Sequence, residues 1–208
     1  MNHVVDSRRL TGPHLLGDRP GAILDVALDG DAEPVIAAWR RAVRRLLEAV
    51  GWGGEEIASR RFAGGASLVI AAPLDSLYAA TEVNEAAWEA AMAEVAGGSP
   101  PDPAAAAERL RSQIVREHDV RLRALRDAAR NRGLSFLVDD DLVSAGTGAG
   151  AAVWPRNALP DVPEVQWDGL HDVPIVLVTG SNGETTSVRL LAAMARAAGL
   201  TPGLTSMW

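Results

Sequence analysis

The chain contains no cysteine and no lysine. The absence of cysteine excludes disulfide bonds, thiolate nucleophiles and zinc sites with sulfur ligands. The absence of lysine means that all twenty basic residues are arginine, which excludes a Schiff-base lysine, a carbamylated lysine and a phosphate-loop lysine. Aromatic residues make up only 4% of the chain, so alanine, leucine and valine must form most of the core.

The sequence also lacks a long apolar run. Its first residues do not resemble a secretory signal peptide, and no later segment approaches the roughly 20 apolar residues that span a bilayer. The net charge of −7 disfavours binding to a phosphate backbone, because that binding depends on neutralisation by cationic side chains. We therefore predict a cytoplasmic protein that binds neither membranes nor nucleic acids.

The 208 residues, of which 48% are hydrophobic, suffice for one globular domain and an appendage. Apolar runs of strand length alternate with segments of helical periodicity, which predicts a mixed α/β domain over residues 1–158. The predicted strands are 21–28, 66–72 and 134–138, and the predicted helices are 33–50, 75–96 and 104–132. Asp75 or Ser76 is expected to cap the second helix.

A second unit is predicted after this domain. Pro155 precedes residues 159–173, and Pro160 and Pro163 punctuate them, which is typical of a linker. Residues 174–179 (PIVLVT) are predicted to form an apolar strand and residues 185–198 a helix. Residues 174–208 are therefore interpreted as an incomplete phosphate-loop (P-loop) strand-helix unit, in which a glycine turn joins the strand to the helix. The earlier glycine-rich stretch 146–150 is not followed by a predicted helix, and we expect a flexible loop there.

The turn after residue 179 has the composition of a phosphate loop. Glycines let backbone N–H groups close around phosphate oxygens, and the following helix N-terminus adds a positive dipole end. The residues of this turn are Gly180, Ser181, Asn182, Gly183, Glu184, Thr185 and Thr186. Together with the strand and helix around it, this motif resembles the Gly-Thr-Asn-Gly-Lys-Thr-Thr loop of the Mur ligase superfamily.

This resemblance implies the central domain of an ATP-dependent ligase that joins a carboxylate to an amine, with Mg²⁺ held partly by the Thr185 hydroxyl. Glu184 stands where the family has its lysine. A carboxylate there would repel the β and γ phosphates by a few kcal/mol even with surface-like screening of about ε = 20. We therefore expect weak or absent ATP binding and no turnover by this degenerate loop. The chain stops soon after Thr205, so we also expect the remainder of such a domain to be missing.

The same residues have another interpretation. Ser181 followed three residues later by Glu184 fits a capping box, in which each side chain binds the other residue's backbone N–H. A glutamate in the first helical turn also complements the helix dipole. A helix start without nucleotide chemistry and a working nucleotide site therefore both remain open.

Two further segments resemble the N-terminal domain of cyanophycin synthetases, which are Mur-ligase-like enzymes. One is the run from Arg9 to His14 (RLTGPH), which is similar to an Arg-Gly-Pro-Asn opening, and the other is residues 71–85. Between the predicted strand and the glycine stretch, the run Asp139, Asp140 and Asp141 is either a ligand set for a hard cation or a solvated strand end. The second reading is favoured, because three adjacent side chains of a strand do not face one ion.

Three functions follow from these patterns. The chain is a degenerate, truncated Mur-type ligase, or a binding and assembly module whose residues 1–158 recognise a peptide, polymer or amino acid. Alternatively, it is one subunit of a split ligase whose other domains lie on a partner chain. Enzymatic activity of this chain alone is not expected under the first two readings.

Overall fold

The computed structural model describes residues 2–99 and 101–204. Within these residues it has a mixed α/β fold with two antiparallel sheets and five α-helices, which confirms the predicted class. The last predicted residues, 205–208, lie outside the described part.

The larger sheet holds four strands in the spatial order β1-β2-β4-β3. The strands are β1 (His3–Leu10), β2 (Gly21–Ala27), β3 (Ile57–Phe62) and β4 (Gly65–Ala71). The central pair, β2 and β4, matches the predicted strands closely because both are apolar and buried. The edge strands β1 and β3 were not predicted, since their polar and partly exposed side chains carry little strand signal.

Helices α1 (Glu33–Ala49) and α2 (Leu77–Val95) cover one face of this sheet. Both were predicted from their apolar spacing. A buried polar bridge joins the layers: Trp39 Nε1 donates to Asn84 Oδ1 at 2.9 Å, and Asn84 Nδ2 donates to the Leu68 carbonyl at 2.9 Å. Because buried polar groups need partners, this bridge fixes α1 and α2 relative to β4.

The predicted single helix over 104–132 is wrong. The structure has two helices, α3 (Pro103–Glu117) and α4 (Val120–Arg130), separated by His118 and Asp119. Asp119 adopts an extended conformation and its carboxylate accepts a hydrogen bond from the Leu122 N–H at 3.0 Å. The chain therefore stops one helix and caps the next within two residues.

The smaller sheet contains β5 (Phe136–Val138), β6 (Leu142–Ala145) and β7 (Ala152–Pro155) in sequential antiparallel order. The stretch 146–150, expected to be a flexible loop, is held by residues 171–173 instead. Thr147 N–H donates to the His171 carbonyl at 3.2 Å, and His171 N–H donates to the Gly150 carbonyl at 3.0 Å. A Cβ at Gly150 would lie 2.3 Å from the His171 oxygen, so this contact requires glycine.

Residues 159–173, which the sequence assigns to a linker, pack against the α/β unit. Leu159 is buried, and Val162, Val165 and Trp167 are partly buried against the core. The Arg132 guanidinium lies 4.5 Å from the centre of the Trp167 ring. These contacts continue the packing of the domain up to Val173.

The strand predicted over residues 174–179 is wrong. This segment pairs with no strand in the described part of the chain, and the fractional exposures of Ile175, Val176 and Leu177 are 62%, 71% and 91%. An apolar run forms a strand only where neighbouring strands accept its hydrogen bonds. The helix predicted after it does form, as α5 (Glu184–Ala197). Among the described residues, no helix combines the length and the apolar character needed to cross a membrane.

Candidate functional site

The residues of the predicted phosphate loop lie together at the start of α5. Six of them are exposed and Glu184 is half-buried. The exposed ones are Gly180, Ser181, Asn182, Gly183, Thr185 and Thr186. Gly183, with φ of +85°, is the residue before the first helical turn. This left-handed conformation is one that glycine adopts at low cost.

The capping box predicted for this turn is wrong. Because Gly183 occupies the N-cap position, the helix begins two residues later than a Ser181 cap requires, and no side chain caps it. Glu184 is the first helical residue, and its carboxylate turns back over the loop. A Cβ built on Gly180 would lie 3.8 Å from Glu184 Oε1. The acidic first turn that complements the helix dipole is present.

This arrangement is unfavourable for a triphosphate. The carboxylate of Glu184 lies beside Gly180 of the loop, and residues 180–186 contribute no cation. Two like charges about 4 Å apart repel by about 1 kcal/mol in water and about 4 kcal/mol at surface-like screening. No group of three or more metal-ligating side chains occurs in residues 2–99 and 101–204, so Thr185 has no carboxylate cluster beside it.

A second candidate site is a cleft on the α/β domain. It is a cleft of about 820 Å³ between the end of β1, the start of α2 and the turn that joins β5 to β6. Its lining includes Ser7, Arg9, Tyr78, Glu117, Asp140 and Arg156. Arg9 and Tyr78 belong to segments 9–14 and 71–85, so the fold brings these two segments to one site.

Arg9, Tyr78 and Asp140 form the most complete polar cluster in the cleft. Arg9 grips the Asp140 carboxylate with both terminal nitrogens, at 2.5 and 3.0 Å, and its guanidinium lies 4.0 Å from the centre of the Tyr78 ring. The Tyr78 hydroxyl, from the only tyrosine of the chain, donates to the same carboxylate at 3.0 Å. The hydrogen bond from Arg9 lowers the pKa of Asp140, and the hydrogen bond to Asp140 raises the pKa of Tyr78.

Glu117 closes the cleft where α2 begins. The predicted capping of this helix by Asp75 or Ser76 is wrong: Ser76 is the N-cap residue, but its side chain makes no capping bond. The Glu117 carboxylate, which reaches over from α3, accepts hydrogen bonds from the N–H groups of Tyr78 and Ala79 at 3.0 and 2.8 Å. Burial raises the pKa of Glu117, and these hydrogen bonds only partly oppose that effect.

The buried Asp75 carboxylate does not cap α2 but contacts the turn between α3 and α4. Its Oδ2 atom accepts a hydrogen bond from the Asp119 N–H at 3.0 Å and lies 3.0 Å from His118 Nδ1. Its Oδ1 atom accepts no hydrogen bond from the described residues and lies 3.8 Å from Arg123 Nε. The non-helical turn at His118 and Asp119 is therefore held by a contact distant in sequence.

Arg156 and Asp119 form another ion pair at the cleft, with an N–O distance of 2.5 Å. Burial opposes ionisation of Asp119, but hydrogen bonds from the Leu122 N–H and from Arg156 outweigh it, so the pKa of this carboxyl lies below its usual value. The pair joins β7 to the start of α4, and both side chains are mostly buried. The cleft thus carries charges of both signs, most of them paired.

The sequence indicated only part of this site. Arg9 and Tyr78 fell within the two family-like segments, whereas Asp140 was interpreted as a solvated strand end and Glu117 as part of a long helix. Arg9 and Asp140 are separated by 131 positions. A local pattern gives no signal for a contact of that kind, although three adjacent aspartates in a turn did mark a concentrated negative charge. No protein-family model matches the chain, and no curated protein matches its sequence.

Proposed function

We propose that this protein is a Mur-ligase-related chain whose α/β domain binds a charged peptide or amino acid and whose phosphate loop does not turn over ATP. The observation that carries the binding function is the Arg9, Tyr78 and Asp140 cluster at the mouth of the cleft. An arginine fork held on an aromatic face recognises carboxylates with defined geometry.

The size and the charges of the cleft support a ligand of this class. Its volume of about 820 Å³ lies within the range typical of sites for small molecules and short peptides, about 300–1,000 Å³. Both arginines and carboxylates line it, so a ligand that carries charge can find a partner of opposite sign. The ion pairs already present keep these side chains oriented before a ligand arrives, which reduces the entropic cost of binding.

The expectation of no ATP turnover rests on Glu184. Its carboxylate lies over the turn near Gly180 and would repel the terminal phosphates. The residual features of the motif, Gly183 before the helix and the Thr185 hydroxyl after it, support the ancestry but supply no positive charge. We therefore propose that the α5 segment is the remnant of a nucleotide site, beside a domain that has kept its binding role.

Titration with short peptides tests the binding function. Acetylated tetra-aspartate, tetra-arginine and tetra-asparagine are titrated into the protein by calorimetry, together with the variants Thr11→Trp and Ser112→Trp. Thr11 lines the cleft and is exposed, so a tryptophan there should abolish binding by filling the space. Ser112 is exposed on α3 outside the cleft and serves as the matched control. Failure of the charged peptides to bind, or equal effects of the two tryptophans, would reject this function.

Calorimetry with Mg-ATP tests the second half of the proposal. The unmodified chain should not bind Mg-ATP measurably. If charge repulsion is the main obstacle, Glu184→Lys should restore Mg-ATP binding. If the lack of a sheet around the loop is the main obstacle, neither the unmodified chain nor Glu184→Lys should bind Mg-ATP. Turnover of ATP by the unmodified chain would contradict the proposal.

A split ligase is the second candidate, and one observation favours it. Within residues 174–178 (PIVLV), Ile175, Val176 and Leu177 expose their side chains. The segment has no strand partner in the described residues, so a sheet from a partner chain would cover it. Hydrogen exchange of these amides, measured with and without an intact Mur-type ligase as the partner, tests this idea. Protection confined to this segment would support it, and unchanged exchange would count against it.

A further inference from the structure

The turn between β5 and β6 presents Asp140 to the cleft. Asp139 organises the turn, because its Oδ1 atom accepts hydrogen bonds from the N–H groups of Asp141 and Leu142 at 2.9 and 2.6 Å. Asp140 therefore projects from a braced turn, and its side chain remains 57% exposed. It is the only one of the three aspartates whose carboxylate is gripped by an arginine among the described residues.

The partners of Asp140 have the features of a carboxylate-binding subsite. Arg9 offers two parallel N–H donors, the Tyr78 hydroxyl offers a third, and the Tyr78 ring supports the guanidinium from below. This bidentate arrangement with an aromatic support is one that proteins use for carboxylates of other molecules. Here, a carboxylate from the same chain fills it.

We propose that Asp140 is an internal stand-in for a ligand carboxylate, and that an acidic peptide displaces it from Arg9 and Tyr78. This inference rests on the binding function proposed above and names its ligand class. In the unliganded protein Asp140 occupies the subsite, and in the complex a side-chain or C-terminal carboxylate of the peptide takes its place.

The surroundings favour displacement of Asp140 over displacement of Arg9. Arg9 lies within β1, where it is paired in register with Ala22 of β2, and its side chain is only 31% exposed. Asp140 belongs to a turn and is the more exposed partner. Moving the turn breaks the weaker set of contacts, so a ligand anion that replaces Asp140 needs less rearrangement than a ligand cation that replaces Arg9.

The other arginines of the cleft are less available. Arg156 pairs with Asp119, whose side chain is 27% exposed, and Arg8 pairs with Asp25 and Asp6, whose side chains are 20% and 45% exposed. The Asp119 and Asp25 carboxylates are also bound by the Leu122 N–H and the Ser67 hydroxyl, and all three carboxylates are less exposed than that of Asp140. Arg9 is the lining arginine whose partner a ligand reaches most easily.

The test is calorimetric titration of acetylated tetra-aspartate into the unmodified protein and into Asp140→Ala. The equilibrium constant for forming an exposed ion pair is about 1.4 to 5. A ligand that competes with such a pair binds more weakly by a factor of one plus this constant, so removing Asp140 should tighten binding about two- to sixfold. Asp141→Ala is the matched control, because it removes the same charge from the same turn and its side chain does not contact Arg9. Arg9→Gln should abolish binding and Arg9→Lys should weaken it, with thermal melting used to verify that each variant is folded.

The outcomes separate this inference from the function on which it rests. Equal affinity of the unmodified protein and Asp140→Ala for tetra-aspartate overturns the inference and leaves peptide binding intact. Equal tightening by Asp140→Ala and Asp141→Ala also overturns it, because the effect would then be general charge. Tight binding of tetra-arginine that is lost in Asp140→Ala would make the site a cation site instead. Absence of binding by all peptides rejects the proposed function itself.

Discussion

Replacing Asn84 by alanine should destabilise the protein more than most single substitutions. Asn84 is completely buried, and its amide joins the indole N–H of Trp39 to the Leu68 carbonyl. The substitution removes both hydrogen bonds and leaves a buried donor and a buried acceptor without these partners. It also creates a small cavity between α2 and the sheet.

The magnitude follows from these losses. A buried polar group that loses its partner costs about 1–3 kcal/mol. The Trp39 N–H has no second partner among the described residues, whereas a carbonyl tolerates partial satisfaction better than an N–H does. We therefore expect Asn84→Ala to lower the free energy of unfolding by about 2–4 kcal/mol.

Urea unfolding followed by tryptophan fluorescence and by far-UV circular dichroism measures this change. Trp39 contributes to the fluorescence together with the other five tryptophans of the chain, and agreement of the two probes checks that unfolding has one transition. Asn157→Ala is the control, because Asn157 is exposed and its side chain makes no hydrogen bond with the described residues, so its effect should stay within about 0.5 kcal/mol. A loss below about 0.5 kcal/mol for Asn84→Ala would refute the view that this bridge fixes the helices on the sheet.

Two other perturbations have expected outcomes. The pKa of Asp119 is lowered in the folded protein by hydrogen bonds from the Leu122 N–H and from Arg156. These contacts therefore stabilise the fold above the usual carboxyl pKa of 3.8 and lose this effect as the pH falls through the lower folded value. Asp119→Asn should therefore reduce the urea midpoint at pH 7 and have a smaller effect near pH 3; an equal effect at both would contradict the pairing. Gly150→Ala forces a Cβ to within 2.3 Å of the His171 oxygen and should cost about 1–3 kcal/mol, whereas Gly169→Ala, with open space around it, should be close to neutral in the same assay.

The sequence predicts best those helices and strands whose burial follows from the spacing of apolar residues within the element. The apolar face of α1 and the apolar runs of β2 and β4 pack against one another, so periodicity alone located them. The edge strands β1 and β3 escaped prediction because their pairing depends on neighbours and not on their own composition. The break at His118 and Asp119 was missed for a similar reason, since Asp75, 44 positions away from Asp119, holds it.

The candidate site was harder to predict than the fold. A motif such as residues 180–186 is contiguous and visible in the sequence, yet the conformation of Gly183 decided where the helix begins and where Glu184 points. The cluster of Arg9, Tyr78 and Asp140 draws on three elements that meet only after folding. Residue types alone indicated that each side chain was polar and gave no sign that the three would meet.

The hydrogen bonds between residues 147–150 and 171–173 have a consequence for proteolysis. Thr147 uses its hydroxyl to accept from the Val173 N–H at 2.8 Å and to donate to the Val173 carbonyl at 3.3 Å, so the backbone there is engaged on both sides. Beyond it, the peptide groups of 174–178 lack such partners among the described residues. A protease that needs an extended, accessible substrate should therefore cut first just after residue 173. This cleavage should release a resistant fragment that ends near residue 174.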